Sequence, residues 1–217
     1  MPRRPIHPGD IPSAERGPTG PDESRQLILA AMIDVAGAKG YRDVSVADIL
    51  TEAKVPAAVF EARFTGKRDC FLAAYVTAVD GLRDEIFAEC DANLAWAARM
   101  RVGLTGILDR FAADPGLARM VTVEPAVVGT EALRLYFDTI ARFGSFVDAG
   151  CEAATELPEQ IALMAVGGVT GLISNEVAAG RAEQLRDLLP SLLYALLLPY
   201  VGPDAATAEM RLAAGLY

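Results

Sequence analysis

Histidine is almost absent from this 217-residue chain: the one copy, His7, lies among prolines, glycines and arginines near the N-terminus. A Ser-His or Cys-His nucleophile therefore has no base in the folded body, and no G-x-S-x-G, P-loop or dinucleotide G-x-G-x-x-G context is present. Cysteine is scarce as well. Cys70, Cys90 and Cys151 are odd in number and widely spaced, which argues against a disulfide framework or a zinc site and for small, reduced, buried side chains. Aromatic content is 7%, and long alternating runs of β-branched residues are missing, so the pattern favours helix over sheet. Paired acids such as Asp84 with Glu85, or Glu156 with Glu159, are sequence neighbours on polar helix faces, where solvation accounts for them without catalysis. The expectation is a protein that is not an enzyme, with no cofactor and no metal.

Positive charge is also in short supply, with a net charge of −9. Divided by segment, residues 1–21 hold three arginines against two acids, residues 22–69 seven basic against eight acidic, and residues 70–217 ten against nineteen. The excess acid thus lies in the C-terminal two thirds. A strong non-specific polyanion binder would carry a basic stripe, and none is visible, so contact with nucleic acid would rest on a few charges.

What the chain does have is helical punctuation. Ser45 and Asp48 form an S-x-x-D capping box that starts a helix near Val46. Val46, Ile49, Leu50 and Ala53 give it an apolar side, and Lys54-Val55-Pro56 ends it, because proline disfavours helical geometry in the residue before it. Pro56 opens a second short helix carrying Val59 and Phe60, with Phe64 beyond. Gly66 caps a third, with Asp69 near its positive end. Upstream, a helix from Asp22 to about Lys39 stops at Gly40, placed where a positive φ is needed.

Two short helices joined by a tight turn and followed by a long one resemble the DNA-binding domain of the TetR family of bacterial transcriptional regulators. The match is ordered: Ile28, Leu29, Ala31, Met32, Ile33, Val35, Gly40 and Tyr41 follow the family's first helix. Ser45-Val46-Ala47-Asp48-Ile49 follows its T-V-x-D-I segment, Val55 to Lys67 its recognition segment, and Lys67 to Ala74 the start of the next helix. The resemblance implies DNA contact by Ser45, Val46, Ala57, Ala58, Val59, Glu61, Arg63 and Lys67, helped by backbone amides at two helix starts. Three positions depart from the pattern. Pro56 replaces a capping Ser or Thr, Val59 a Thr, and Glu61 a Tyr. A carboxylate at position 61 repels the phosphate backbone unless it accepts from a cytosine amino group or pairs with Arg63. Ala36 and Gly37 also stand where the family has larger residues, which predicts a slightly underpacked first helix.

Beyond Lys67 helices follow one another, at about Lys67–Asn93, Leu94–Ala113, Pro115–Val123, Glu131–Thr155 and Pro158–Gly180. The expected fold is all-α, with about nine helices: a disordered arm at 1–21, a helix-turn-helix domain at 22–68, and a ligand-binding and dimerisation domain at 69–217. Gly167, Gly168 and Gly171 each cost up to about 1 kcal/mol of helix propensity, which close approach of another helix or a ligand would offset. Leu188 to Val201 holds more leucines than a monomer can bury. A membrane span is excluded by Pro190 and Pro199, so the helices near 158–180 and 184–201 are expected to build a homodimer. Two readers on a two-fold axis imply a palindromic operator with half-sites roughly 34 Å apart.

The same resemblance implies a small-molecule effector within the body. Candidate walls are Trp96, Met100, Leu104, Met120, Glu124, Tyr136, Phe137, Phe143 and Asn175, with core packing the plainer account of each apolar one. Glu124 lies in an apolar run and needs a partner if buried; Arg119, Arg134, solvent or a cationic ligand would serve. Two functions follow from these residues. One is a cytoplasmic repressor released from double-stranded operator DNA by its effector. The other is a dimeric ligand- or protein-binding module of the same fold whose DNA binding is weakened or lost.

Overall fold

A computed structural model of the chain describes residues 21–89, 94–149, 151, 154, 156–158 and 160–216. The N-terminal arm with His7, together with Cys90, Asn93 and Glu159, lies outside them. Ten α-helices and no strand occur among the described residues.

The capping box is formed as the spacing predicts: the Asp48 N–H donates to Ser45 Oγ at 3.2 Å and the Ser45 N–H to Asp48 Oδ2 at 2.7 Å. Lys39 adds an ion pair to Asp48 at 2.7 Å, and these bonds hold that carboxyl well below the usual carboxylate range. α1 (Pro21–Lys39) packs on α2 (Val46–Ala53) and α3 (Ala57–Glu61), joined by a 3-10 turn at Tyr41–Asp43. Pro56 is the N-cap of α3, extended at φ −65° and ψ 150°. Gly40 takes φ +80° after α1, and Lys54 a left-handed φ of 54° after α2.

α4 (Lys67–Glu89) leaves this small domain and becomes the first strut of the body. Its carbonyl at Gly66 accepts from the Cys70 N–H, and Asp69 receives the Thr65 N–H at 2.8 Å, so the start is where glycine and acid mark it. α5 (Trp96–Ala113) packs on α4, and α6 (Pro115–Thr122) begins at Asp114, whose Oδ1 takes the Leu117 N–H at 2.9 Å. α7 (Glu124–Val128) is a short helix that the sequence pattern does not announce, started by Pro125. α8 (Thr130–Asp148) stops well before Thr155, because Ala149 is already extended at φ −65°, ψ 122°. α9 (Ile161–Ala178) begins three residues after Pro158 and ends before Gly180. α10 (Leu189–Ala213) is broken at Gly202, with φ 75° and ψ 174°, so the leucine-rich run ends near Val201 as its sequence indicates.

The first helix is not underpacked. A Cβ built on Gly37 would lie 2.5 Å from the Gly116 carbonyl oxygen, so α1 and α6 meet backbone to backbone. The small residue there is a fit rather than a deficit. Ala36 beside it is fully buried. One hydrophobic core runs from Ile28 and Ile49 in the small domain through Phe71 and Tyr75 on α4 to Leu193 and Leu197 on α10. α9 and the segment 182–213 are each long and apolar enough to cross a membrane, yet Val169, Ile173, Leu193 and Leu197 pack into this core.

Candidate functional site

The exposed surface of α2 and α3 is short of polar reach. On α3, Ala57, Ala58 and Glu61 are exposed, Val59 is half-buried, and Phe60 is in the core against Phe64. Ser45 is exposed, with its hydroxyl bonded to Asp48 at 2.6 Å, and Val46 is half-buried beside it. Arg63 donates to the Val59 carbonyl at 2.9 Å, which closes the end of α3.

Lys67 departs furthest from a DNA contact. Its Nζ donates to the carbonyls of Tyr41 (2.9 Å) and Val44 (2.7 Å) and sits 4.2 Å from the centre of the Tyr41 ring. The ammonium thus fastens the turn before α2 onto α4. Arg68 pairs with Glu131 at 2.9 Å. Arg42 and Lys54, which sequence reasoning passed over, flank α2 at its two ends; both are exposed and make no ion pair within 4 Å among the described residues. Their signal was placement beside the helix boundaries, one before the capping box and one before Pro56.

Glu124 joins the reader to the body. Only 1% exposed, it accepts the Tyr41 N–H at 2.9 Å and Arg119 Nε at 2.7 Å. A Cβ on Gly40 would meet Arg119 Nη2 at 2.7 Å, a contact the end of a flexible side chain can yield to, so glycine is favoured there chiefly by its positive φ. Of the partners foreseen for Glu124, Arg119 is present, and the Tyr41 amide is new.

Behind this junction lies a cavity of about 130 Å³ between α4, α5, α8 and α9. Met100, Leu104, Tyr136 and Phe143 line it. The other candidate walls stand elsewhere. The Trp96 indole donates to the Val147 carbonyl at 2.8 Å and packs on Tyr200, whose hydroxyl is bonded to Asp148. Met120 is sealed in the core, Phe137 is 55% exposed, and Asn175 bonds Glu176 on the outer side of α9. Helical spacing marked these residues as apolar without revealing which side of each helix faces the gap.

Every hydroxyl on the cavity wall is occupied from within. Tyr75 donates to Thr139 at 3.3 Å, Tyr136 meets Ser174 at 3.4 Å, and Thr122, Thr139 and Thr170 each bond a carbonyl one turn back. Burial pushes the Tyr75 hydroxyl up to about 12 and the Cys70 thiol likewise to about 12, so neither is an acid or nucleophile near neutrality.

Residues 28–74 match the family model for bacterial regulatory proteins of the tetR family. No curated protein matches the chain. Among solved structures it is similar to the fatty acid degradation regulator FadR of Bacillus halodurans, at 18% identity and TM-score 0.70 over 88% of this chain and 99% of that one. FadR of Bacillus subtilis, solved in complex with stearoyl-CoA, is 16% identical with TM-score 0.68 over 82% and 98%. The tetR regulator TylP of Streptomyces fradiae is 18% identical with TM-score 0.64 over 86% and 90%. At these identities the likeness establishes the shared fold along the body, and the family model establishes the reader. Residues 28–74 thus match the tetR family of bacterial regulatory proteins, and the rest of the chain forms a body with the fold of solved regulators of that family.

Proposed function

We propose that the protein is a dimeric transcriptional repressor that holds a palindromic operator and releases it when a small apolar or amphipathic molecule enters the body. Residues 22–68 act as the reader and 69–217 as the sensor. The observation that carries this reading is the double role of α4 and α6. α4 gives Phe71 to the reader's core and Val79, Leu82 and Ile86 to the cavity wall; α6 presses Gly116 on Gly37 and turns Val121 and Thr122 to the cavity. A molecule that displaces the cavity wall thereby moves the base of the reader, which is what a shift between binding-competent and incompetent populations needs. FadR of Bacillus subtilis, solved with stearoyl-CoA, supports an effector with a long apolar part.

The dimer rests on α9 and α10. Leu163, Met164 and Leu172 are exposed on α9, and Leu198 on α10. Gly167, Gly168 and Gly171 have nothing within 4 Å, which leaves room for a partner helix. The protein acts in the cytoplasm, where its operator is, and carries out no chemistry of its own.

Mobility shift with DNA from upstream of the protein's own gene tests the proposal: a salt-sensitive shift is expected, with footprints in two symmetric half-sites. A second reading is favoured by one observation, the surface of α3 with only Ala57, Ala58 and Glu61 exposed on the helix itself. A folded dimer that fails to shift any such DNA at low salt would establish it, leaving a ligand- or protein-binding module.

A further inference from the structure

Among the described residues one buried side-chain nitrogen or oxygen has no hydrogen-bond partner: Nε of Arg99. Arg99 lies in the first turn of α5, the helix that follows the C-terminal end of α4 in the chain, and lines the same cavity as Ile86. No carboxylate lies within ion-pair distance of it among the described residues, although the other arginine that lines the cavity, Arg83, is held by Asp80 at 3.2 Å and Asp84 at 2.8 Å. An unpaired donor on a guanidinium beside an apolar cavity is costly, because a buried donor left unmade forfeits its hydration without replacement. The hydroxyls on its wall are already satisfied by the protein. Among the described residues the one buried polar atom left unmade on this wall is therefore a guanidinium donor, and it calls for an acceptor carrying negative charge.

From this polarity we infer that the effector is an amphiphile with an anionic head, carboxylate or phosphate, that binds Arg99, and an apolar body directed along α4 toward Tyr75. The inference rests on the cavity being the effector site. Ile86 to Tyr75 spans about 16 Å at helical rise, while the cavity volume is close to the ~150 Å³ that admits a benzene-sized guest. A slender chain is the shape a long, narrow gap admits, and seating its full length displaces the wall. Its far end then reaches Val121 and Thr122 of α6, the helix that touches Gly37 of the reader, so head and tail have separate tasks. The head fixes position, and the tail moves α6.

The test is a calorimetric titration of the full-length protein with decanoate, decyl phosphate, decanol and decyltrimethylammonium. The wild type should bind at least one of the two anions about tenfold or more tighter than decanol, the size of effect expected of a charge-assisted bond, and the cation weakest. Whichever of decanoate and decyl phosphate binds tighter identifies the head. Arg99→Met should bring anion and alcohol within about threefold of each other while leaving decanol affinity unchanged, and Arg99→Lys should restore part of the preference. Equal binding of anion and alcohol to the wild type, or a preference that survives in Arg99→Met, would overturn the inference and leave the cavity as an effector site. If none of the four probes binds, the inference falls together with the sensor reading. The wild-type comparison stands even if Arg99→Met fails to fold.

Discussion

Glu124 is the residue on which reader and body depend most directly. Its two oxygens divide between a backbone amide 83 residues away and the Arg119 guanidinium. Replacing it with Leu leaves the Tyr41 N–H without an acceptor, and urea unfolding is expected to register a loss of about 2 kcal/mol. Glu124→Gln keeps an acceptor and should lose less than half as much. Equal losses would mean that charge, and not the amide bond, dominates. Asp34 makes the opposite case. Desolvation first, then Glu52 and Asp114, raises its pKa above the ordinary value of 3.8. The native state therefore holds this proton more tightly than the unfolded chain does, and the residue withdraws stability as pH rises through its folded pKa. Asp34→Asn should unfold at higher urea than the wild type at pH 7, and the advantage should shrink toward pH 4. An unchanged midpoint at pH 7 would show that the carboxylate is hydrated well enough to escape the penalty.

Two glycines within helices separate what the sequence makes legible at the level of elements from what it does not. Gly37 and Gly81 look alike in the sequence, as helix-weakening residues. Gly37 is pressed on the Gly116 backbone, and Gly81 has nothing within 4 Å of a built Cβ. Gly37→Ala is expected to force α1 and α6 apart and to cost about 1–3 kcal/mol, as overpacking does. Gly81→Ala should gain about 0.5–1 kcal/mol from helix propensity alone. Opposite signs in denaturant midpoints check the pair, and two gains would mean that α1 and α6 are not in contact in solution. The physical division is general along the chain. Capping boxes, prolines and terminal glycines act within one turn, so α1, α2, α4 and α6 could be placed from their own residues. The end of α8 at Asp148, the side on which Trp96 packs and the partner of Lys67 are set by segments distant in sequence. Lys67 appeared as a DNA contact because it closes the recognition segment. It faces the Tyr41 and Val44 carbonyls instead, a position fixed only once α4 crosses the turn.

For the whole molecule, the decisive question is what covers the outer side of α9 and α10. Met164 is 69% exposed, Leu163 46% and Leu172 39%, with Gly168 and Gly171 exposed on the same helix. Contiguous apolar surface of this kind is rarely left in water, and small residues between the large ones let a second helix approach closely. On a two-fold axis each residue meets the same patch on the other copy, so a charge placed there faces a like charge and has little solvent to disperse it. Met164→Glu with Leu172→Glu is therefore expected to yield monomers at micromolar concentration by sedimentation. The helical circular dichroism should stay unchanged, because both side chains point away from the protomer's own core. Operator affinity should fall with it, since one reader offering Arg42, Lys54 and a short alanine-rich α3 has few phosphate contacts and no second half-site to add avidity. A double variant that stays dimeric would move the interface off this face. One that becomes monomeric yet binds operator undiminished would keep the interface and remove the requirement for paired half-sites.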